Sequence, residues 1–316
     1  MPRPRARRNP TRNTVIKEHL KYVALSRTAR IRYLTAVKKF FAWRRAQALP
    51  ASAGLDDLDV QVGEYINFLY QEGLPIHWAA DTICGFKRFF PRTRRNLDTA
   101  SLWYKNWCKI IVRVAAMPLH VNLLKAFMVY GLLRKEVDFA LSLWTGFLGL
   151  LRPSEIFALN LSDCKIFKPD YMQLLLRGTK GSHRSTADFE TVVIRDRHAI
   201  VAIQRQQNVG PPRLFNGTPN HFRMLYRDAA SFYMVRHPKP TLHGIRRGGA
   251  SFHFGRHNSY DRTAEHGRWA HSRTAKLYID EAGAELALRN QTALSAQRIA
   301  DAQAVFRPSL NRFFPV

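Results

Sequence analysis

The residues of this chain with the clearest capacity for chemistry gather between Thr241 and Asp280. His243 and Arg246 are three apart, and positions i and i+3 share one face of a helix, so an imidazole and a guanidinium can address one anion together. The pairing suits a phosphate, because the guanidinium forks onto two oxygens while the imidazole handles a proton. A second copy of the spacing, His253 with Arg256, shows that the pair alone is not distinctive.

The wider pattern is. Trp269 lies twenty-three residues beyond Arg246, and Tyr278 nine beyond Trp269. Upstream, Gly149 to Glu155 reads GLLRPSE, and Lys180 follows twenty-eight residues after Arg152 in the turn-like GTKGS. Arg152, Lys180, His243, Arg246, Trp269 and Tyr278, in that order and spacing, resemble the tyrosine recombinase (phage integrase) family. The resemblance runs from about Leu141 to Asp280 and matches the family's arginine, hairpin lysine, histidine, second arginine, tryptophan-or-histidine and tyrosine.

What the resemblance implies is metal-independent cutting and rejoining of DNA through a 3′-phosphotyrosyl intermediate, with no cofactor. Such a reaction needs a nucleophile, cations for the charge on a pentacoordinate phosphorane, and an acid for the leaving 5′-oxygen. Tyr278 is the expected nucleophile, and Arg152 and Arg246 the expected oxygen ligands. Lys180, at the tip of a hairpin, is the expected general acid. His243 is expected to donate to a phosphate oxygen or to help take the tyrosine proton, and Trp269 to offer its indole N–H. Glu155, three residues after Arg152, is placed to orient that guanidinium. The expected partner is double-stranded DNA, held by a homo-tetramer that brings two sites together. Two other readings share these residues: a type IB topoisomerase-like nicking and closing enzyme, and a catalytically inactive DNA-binding relative.

The elements that must position these residues are mainly helical. Apolar residues recur at helical spacing in Tyr33, Val37, Phe40 and Phe41, and again in Val62, Ile66, Leu69 and Tyr70. Further helices are predicted over Trp78 to Phe89, Ser101 to Val114, Val121 to Leu133, Glu136 to Leu148, Ser154 to Leu159, Asp196 to Gln206, Asn220 to Tyr233 and Leu242 to Phe254. Pro153 pushes Arg152 out of the helical region and suits the first helical position, so Arg152 should stand on a stiff corner. Tyr171 to Arg177 and Phe189 to Ile194 read as paired strands. Nine residues turn an unbroken helix by about 900°, which would set Trp269 and Tyr278 on opposite faces. The chain must therefore break between them, with Ser272 as the expected cap of a short helix bearing Tyr278.

Two departures from the family pattern stand in the central helix. Arg247 occupies a position where many relatives have histidine, and Gly248-Gly249 replaces a bulkier pair. Two glycines cost about 2 kcal/mol of helix propensity, which predicts a helix that is short or locally open. Toward the C-terminus, Ser295 is expected to cap a helix with Ile299, Ala302 and Phe306 on one face, stopped by Pro308. The resemblance implies that this helix docks on a neighbouring subunit, while the narrow stripe alone equally suits packing on its own domain.

The expected fold is thus mainly α with a small β-hairpin or sheet. A basic arm (1–13) precedes a helical DNA-binding domain (14–116), a mixed α/β catalytic domain (119–285) and a C-terminal tail or helix (286–316). The charge agrees with a polyanionic partner: 50 Lys plus Arg against 23 Asp plus Glu give +27. Residues 1–50 alone hold 14 basic side chains and one acid. Arg30, Arg32, Lys38, Lys39, Arg44 and Arg45 flank the first apolar stripe and are the candidate phosphate contacts there. No charge-free apolar run is long enough to span a membrane, and no secretory signal is read at the N-terminus, so an intracellular, DNA-associated protein is expected, in a bacterial cytoplasm or a nucleus. The three cysteines have no metal-ligand spacing and are read as free thiols. His253, His257, His266 and His271 lack the carboxylate or cysteine framework of a metal site.

Overall fold

Ser26 accepts a hydrogen bond from the Ala29 N–H at 3.2 Å and so starts the first helix of the computed structural model, which describes residues 25–111, 116–177, 189–235 and 240–314. The basic arm and the expected hairpin tip with Lys180 lie outside the described residues. The chain divides into two units, one through Val114 and one from Ala115.

The first unit holds α1 (Arg27–Ala46), α2 (Leu55–Gln71), α3 (His77–Phe89), a 3-10 turn (Pro91–Arg95) and α4 (Asp98–Ile110). Its core is aromatic, with Phe40 packed edge-on against Tyr65 at 5.6 Å and Phe86 at 5.1 Å. Asp59 on α2 is buried because it caps another helix, accepting the Thr99 and Ala100 N–H groups of α4 at 2.8 and 2.9 Å. Of the predicted stripe, Val37, Phe40, Val62, Ile66 and Leu69 are buried, whereas Tyr70 is exposed on one side and leans on Trp107.

The second unit begins with α5 (Val121–Leu133) and α6 (Val137–Leu148), apolar nearly all round and buried accordingly. α7 (Pro153–Ala158) and a 3-10 turn (Leu161–Asp163) lead to an antiparallel sheet of β1 (Cys164–Lys168), β2 (Tyr171–Arg177) and β3 (Phe189–Ile194) in that order. β2 and β3 pair from Met172 with Ile194 to Arg177 with Phe189, while β1, not predicted, lines the other edge of β2. Its Cys-Lys-Ile-Phe-Lys sequence is too short for periodicity to speak. Then come α8 (Arg197–Val209), α9 (Pro219–Phe232), α10 (Leu242–His257), α11 (Tyr260–Gly267), α12 (Ser272–Lys276), α13 (Glu281–Arg289) and α14 (Ala293–Phe313). Helices and one small antiparallel sheet are the predicted class.

α10 is the axis of this unit, and it is not broken at its glycines. It runs unbroken from Leu242 to His257, because Gly248 and Gly249 admit other backbones. A Cβ on Gly248 would collide with the Leu119 carbonyl, and one on Gly249 with the Phe147 carbonyl. The close seat offsets the propensity cost, and Leu119 N–H donates to the Gly244 carbonyl at 2.9 Å.

The C-terminal helix also differs from its reading. Thr292 is its cap, and Ser295 lies buried inside it, donating to the Tyr233 carbonyl. Pro308 does not stop it. The lost hydrogen bond is outweighed by the burial of Leu310 and Phe314, which lie beyond the proline. With Ile299 and Ala302 these residues join the core of their own unit, along α5.

Candidate active site

Arg152 stands where Pro153 puts it, in extended backbone (φ −71°, ψ 150°) as the residue before α7. Three residues on, the Glu155 carboxylate turns back and accepts the Arg152 N–H at 2.7 Å and its guanidinium as well. The same carboxylate accepts Arg268 Nη2 at 2.8 Å, and Arg246 Nη1 is 3.9 Å away. Glu155 is only 7% exposed. Burial alone would raise its carboxyl pKa, but the Arg268 charge, the hydrogen bonds from Arg152 and Arg268, and the Arg152 charge together hold it below the usual range. One buried anion thus gathers three arginines.

Arg246 is the most buried of them, at 1% exposure. Its Nη1 donates to the Leu150 carbonyl and its Nη2 to the Gly267 carbonyl at 2.7 Å. Leu150 takes a left-handed conformation (φ 48°), uncommon for its type, and its carbonyl also accepts Arg268 Nη2 at 3.2 Å. Burial, then the neighbouring Arg268 and Arg152 charges, lower the Arg246 pKa to about 10, with Glu155 and Tyr278 opposing. It stays charged at neutral pH. Its Nε has no hydrogen-bond partner among the described residues, so donor capacity is left over.

Two aromatic rings close over that guanidinium. Its carbon is 4.6 Å from the Trp269 ring and 5.6 Å from the Tyr278 ring, and the rings lie 4.7 Å apart at 36°. Gly267 makes room for the stack, since a Cβ there would strike the Trp269 ring. The break between Trp269 and Tyr278 falls as the geometry required, with different details. Arg268 ends α11 in the left-handed region (φ 59°), His271 rather than Ser272 is the cap residue of α12, and that helix ends at Lys276. Tyr278 therefore sits in the turn after the helix, its N–H returning to the Ala275 carbonyl at 2.9 Å. A five-residue helix is too short to carry it further.

The structure thus brings Arg152, Glu155, Arg246, Trp269 and Tyr278 together. His243 lies one turn before Arg246 on α10 and is exposed. Lys180 is outside the described residues. Sequence reasoning missed Arg268, whose only early signal is its place beside Trp269, and it read Arg247 as a departure without a use. Arg247 donates to the Leu277 carbonyl at 2.9 Å and to Asp280 at 3.3 Å, on either side of Tyr278.

In the first unit the six candidate phosphate contacts are not equivalent. Arg32 is engaged by Asp81 through both Nε and Nη2, Lys39 lies 3.1 Å over the Trp78 ring, and Arg44 sits over Phe41. Lys38 and Arg45 are exposed, and Arg30 is half-buried. Elsewhere His253 stacks on His266 at 4.5 Å and meets His257 at 4.4 Å, while His271 is apart at the start of α12. Burial, then the adjacent His266, His257 and Arg256, lower His253 to about 4. Among the described residues no group of three His, Cys, Asp or Glu has the geometry to hold a metal, and no helix is long and apolar enough to cross a membrane.

No protein-family model and no curated protein matches the sequence. Solved structures do match the fold. A lambda integrase dimer bound to a COC′ core site aligns with a TM-score of 0.55 at 14% identity, over 84% of this chain and 92% of that one. The XerH site-specific recombinase in a post-cleavage complex with palindromic difH substrate aligns at 0.52 and 15%, over 87% and 78%. The Tn1549 transposon integrase in complex with transposon right end DNA aligns at 0.50 and 12%, over 89% and 95%. The fold is that of the tyrosine recombinases.

Proposed function

We propose that this chain is a site-specific DNA recombinase that cuts and rejoins strands through a 3′-phosphotyrosyl intermediate. The observation that carries the reading is the stack of Tyr278 and Trp269 on the Arg246 guanidinium, tied through Glu155 to Arg152. A nucleophile and two phosphate ligands meet in one place, on the fold that suits them.

In the proposed step, the Tyr278 hydroxyl oxygen attacks the scissile phosphorus and gives up its proton to His243. The bond from phosphorus to the 5′-oxygen breaks, and Lys180 supplies that oxygen's proton. The ester remains as a 3′-phosphotyrosine, so attack by a 5′-hydroxyl reverses the step without a nucleotide cofactor. Arg152 and the free donors of Arg246 bind the non-bridging oxygens as charge builds on them. Arg246 is covered by the rings in the free protein, so the tyrosine ring lifts from it as the phosphate enters. The partner is double-stranded DNA, drawn by the basic N-terminal half, and the working assembly is four copies on two sites.

The test uses nicked duplexes tiled across the DNA flanking the gene, together with a randomised pool. A covalent adduct that survives denaturation and maps to Tyr278 is expected, and Tyr278→Phe should bind DNA without forming it. Tyr260, exposed and tilted against the Phe254 ring at 4.5 Å, is the nearby rival. An adduct on Tyr260, or none with any duplex, would overturn the assignment.

A further inference from the structure

Arg246 and Arg247 are neighbours on α10, so their side chains leave the helix about 100° apart. Arg246 turns into the ring stack, and Arg247 turns to the chain that carries Tyr278. Its Nη1 donates to the Leu277 carbonyl at 2.9 Å and its Nη2 to Asp280 Oδ2 at 3.3 Å. One helical turn on, Ser251 Oγ accepts the Asp280 N–H at 2.8 Å and donates to the Arg247 carbonyl at 3.1 Å. Two residues of α10 thereby grip the backbone on both sides of Tyr278. None of these bonds touches the tyrosine itself.

The turn needs such a grip. α12 has five residues, so almost every peptide group in it is a helix end, and Leu277 is 70% exposed. Within the turn, the backbone is held by short local returns, Leu277 N–H to the Thr274 carbonyl at 3.2 Å and the Tyr278 and Ile279 N–H groups to the Ala275 carbonyl at 2.9 and 3.1 Å. α10, by contrast, is a fixed platform, seated by Gly248 and Gly249 against the backbones at Leu119 and Phe147. Asp280 extends the connection, since its Oδ1 accepts the Gly283 N–H at 2.9 Å and caps α13.

We propose that Arg247 is a positioning residue for Tyr278. It latches the turn so that the tyrosine's Cα keeps a set distance from Arg246, while the half-buried side chain turns about its own bonds toward a phosphate. This inference rests on the reading of Tyr278 as nucleophile. The residue type matters, because a planar guanidinium fork spans a carbonyl and a carboxylate at once, whereas an ammonium is a single point donor. It also gives a use to the residue that departs from the family pattern.

The experiment compares full-length wild type, Arg247→Ala and Arg247→Lys in two measurements. The first, without DNA, follows amide hydrogen exchange over residues 271–280 and tryptic cleavage at the exposed Arg273 and Lys276. The second follows single-turnover adduct formation and DNA affinity on the nicked duplex that traps wild type. Arg247→Ala should exchange and be cut faster in this segment alone. Its adduct rate should fall about 100-fold, as expected for a misplacement of about 1 Å, at unchanged DNA affinity. Arg247→Lys should fall between the two proteins, and added guanidinium ion should restore part of the alanine variant's rate. Should the alanine variant not fold, the lysine variant carries both measurements. Unaltered exchange, or an adduct rate that stays level or rises, overturns the latch. If wild type forms no adduct with any duplex, the recombinase reading has failed, and the exchange data alone then decide whether Arg247 holds the turn.

Discussion

The Arg246 guanidinium lies 5.6 Å from the centre of the Tyr278 ring of the same chain, although thirty-two residues separate them. The contact follows from the break after α11, which folds the tyrosine back over the helix that carries the arginine. If each copy supplies its own nucleophile to its own arginines, two inactive variants cannot repair one another. An equimolar mixture of Tyr278→Phe and Arg246→Lys should therefore form no adduct. Recovery of adduct in the mixture would show that the tyrosine acts on a neighbour's site.

Glu155 should be worth more to stability than its single charge suggests. Replacing it with Gln leaves Arg152, Arg246 and Arg268 without their shared anion, a cost of about 3–5 kcal/mol for a buried group. The pH dependence has a definite sign. The folded-state pKa of Glu155 is depressed below its ordinary 4.5, so its contribution is complete above that pH and is lost as pH falls through the lower folded value. Melting curves of wild type and Glu155→Gln should be far apart at pH 7 and converge in acid. A gap that stays constant with pH would show that the carboxylate's charge is not what matters.

Gly248→Ala should destabilise the second unit although alanine is the better helix former. The added methyl meets the Leu119 carbonyl, a backbone atom that cannot rotate away. Overpacking of this kind costs about 1–3 kcal/mol, against a propensity gain of about 1 kcal/mol. Denaturant unfolding should show a lower midpoint at unchanged slope. A raised midpoint would mean that α10 can shift outward.

Lys180→Ala separates a proton donor from a DNA contact. A 5′-thiolate leaves without protonation, so the variant should cleave ordinary DNA poorly and a 5′-bridging phosphorothiolate at near the wild-type rate. Equal impairment on both substrates would assign the lysine to binding.

What the sequence determined by itself is what depends on near neighbours. Val121–Leu133 and the strands Tyr171–Arg177 and Phe189–Ile194 have their predicted bounds, because apolar spacing and β-branched content act within a few residues. The corner at Arg152 follows from the proline beside it. The ordered set of arginine, lysine, histidine, arginine, tryptophan and tyrosine points to the fold that the solved structures share, and its spacing requires a break before Tyr278. Tertiary structure decided whatever depends on the group opposite. Gly248 and Gly249 read as weak points until the Leu119 and Phe147 carbonyls lie against them. Pro308 reads as a stop until the burial of Leu310 and Phe314 outweighs its missing donor. Arg268 and Arg247 look like two more surface charges in a chain with 50 basic side chains. Only folding brings Arg268 to Glu155, 113 residues away, and Arg247 to the turn that holds Tyr278. A hydrogen bond is directional and short, so local spacing announces a helix face, but only the assembled backbone selects which carbonyl or carboxylate that face will meet.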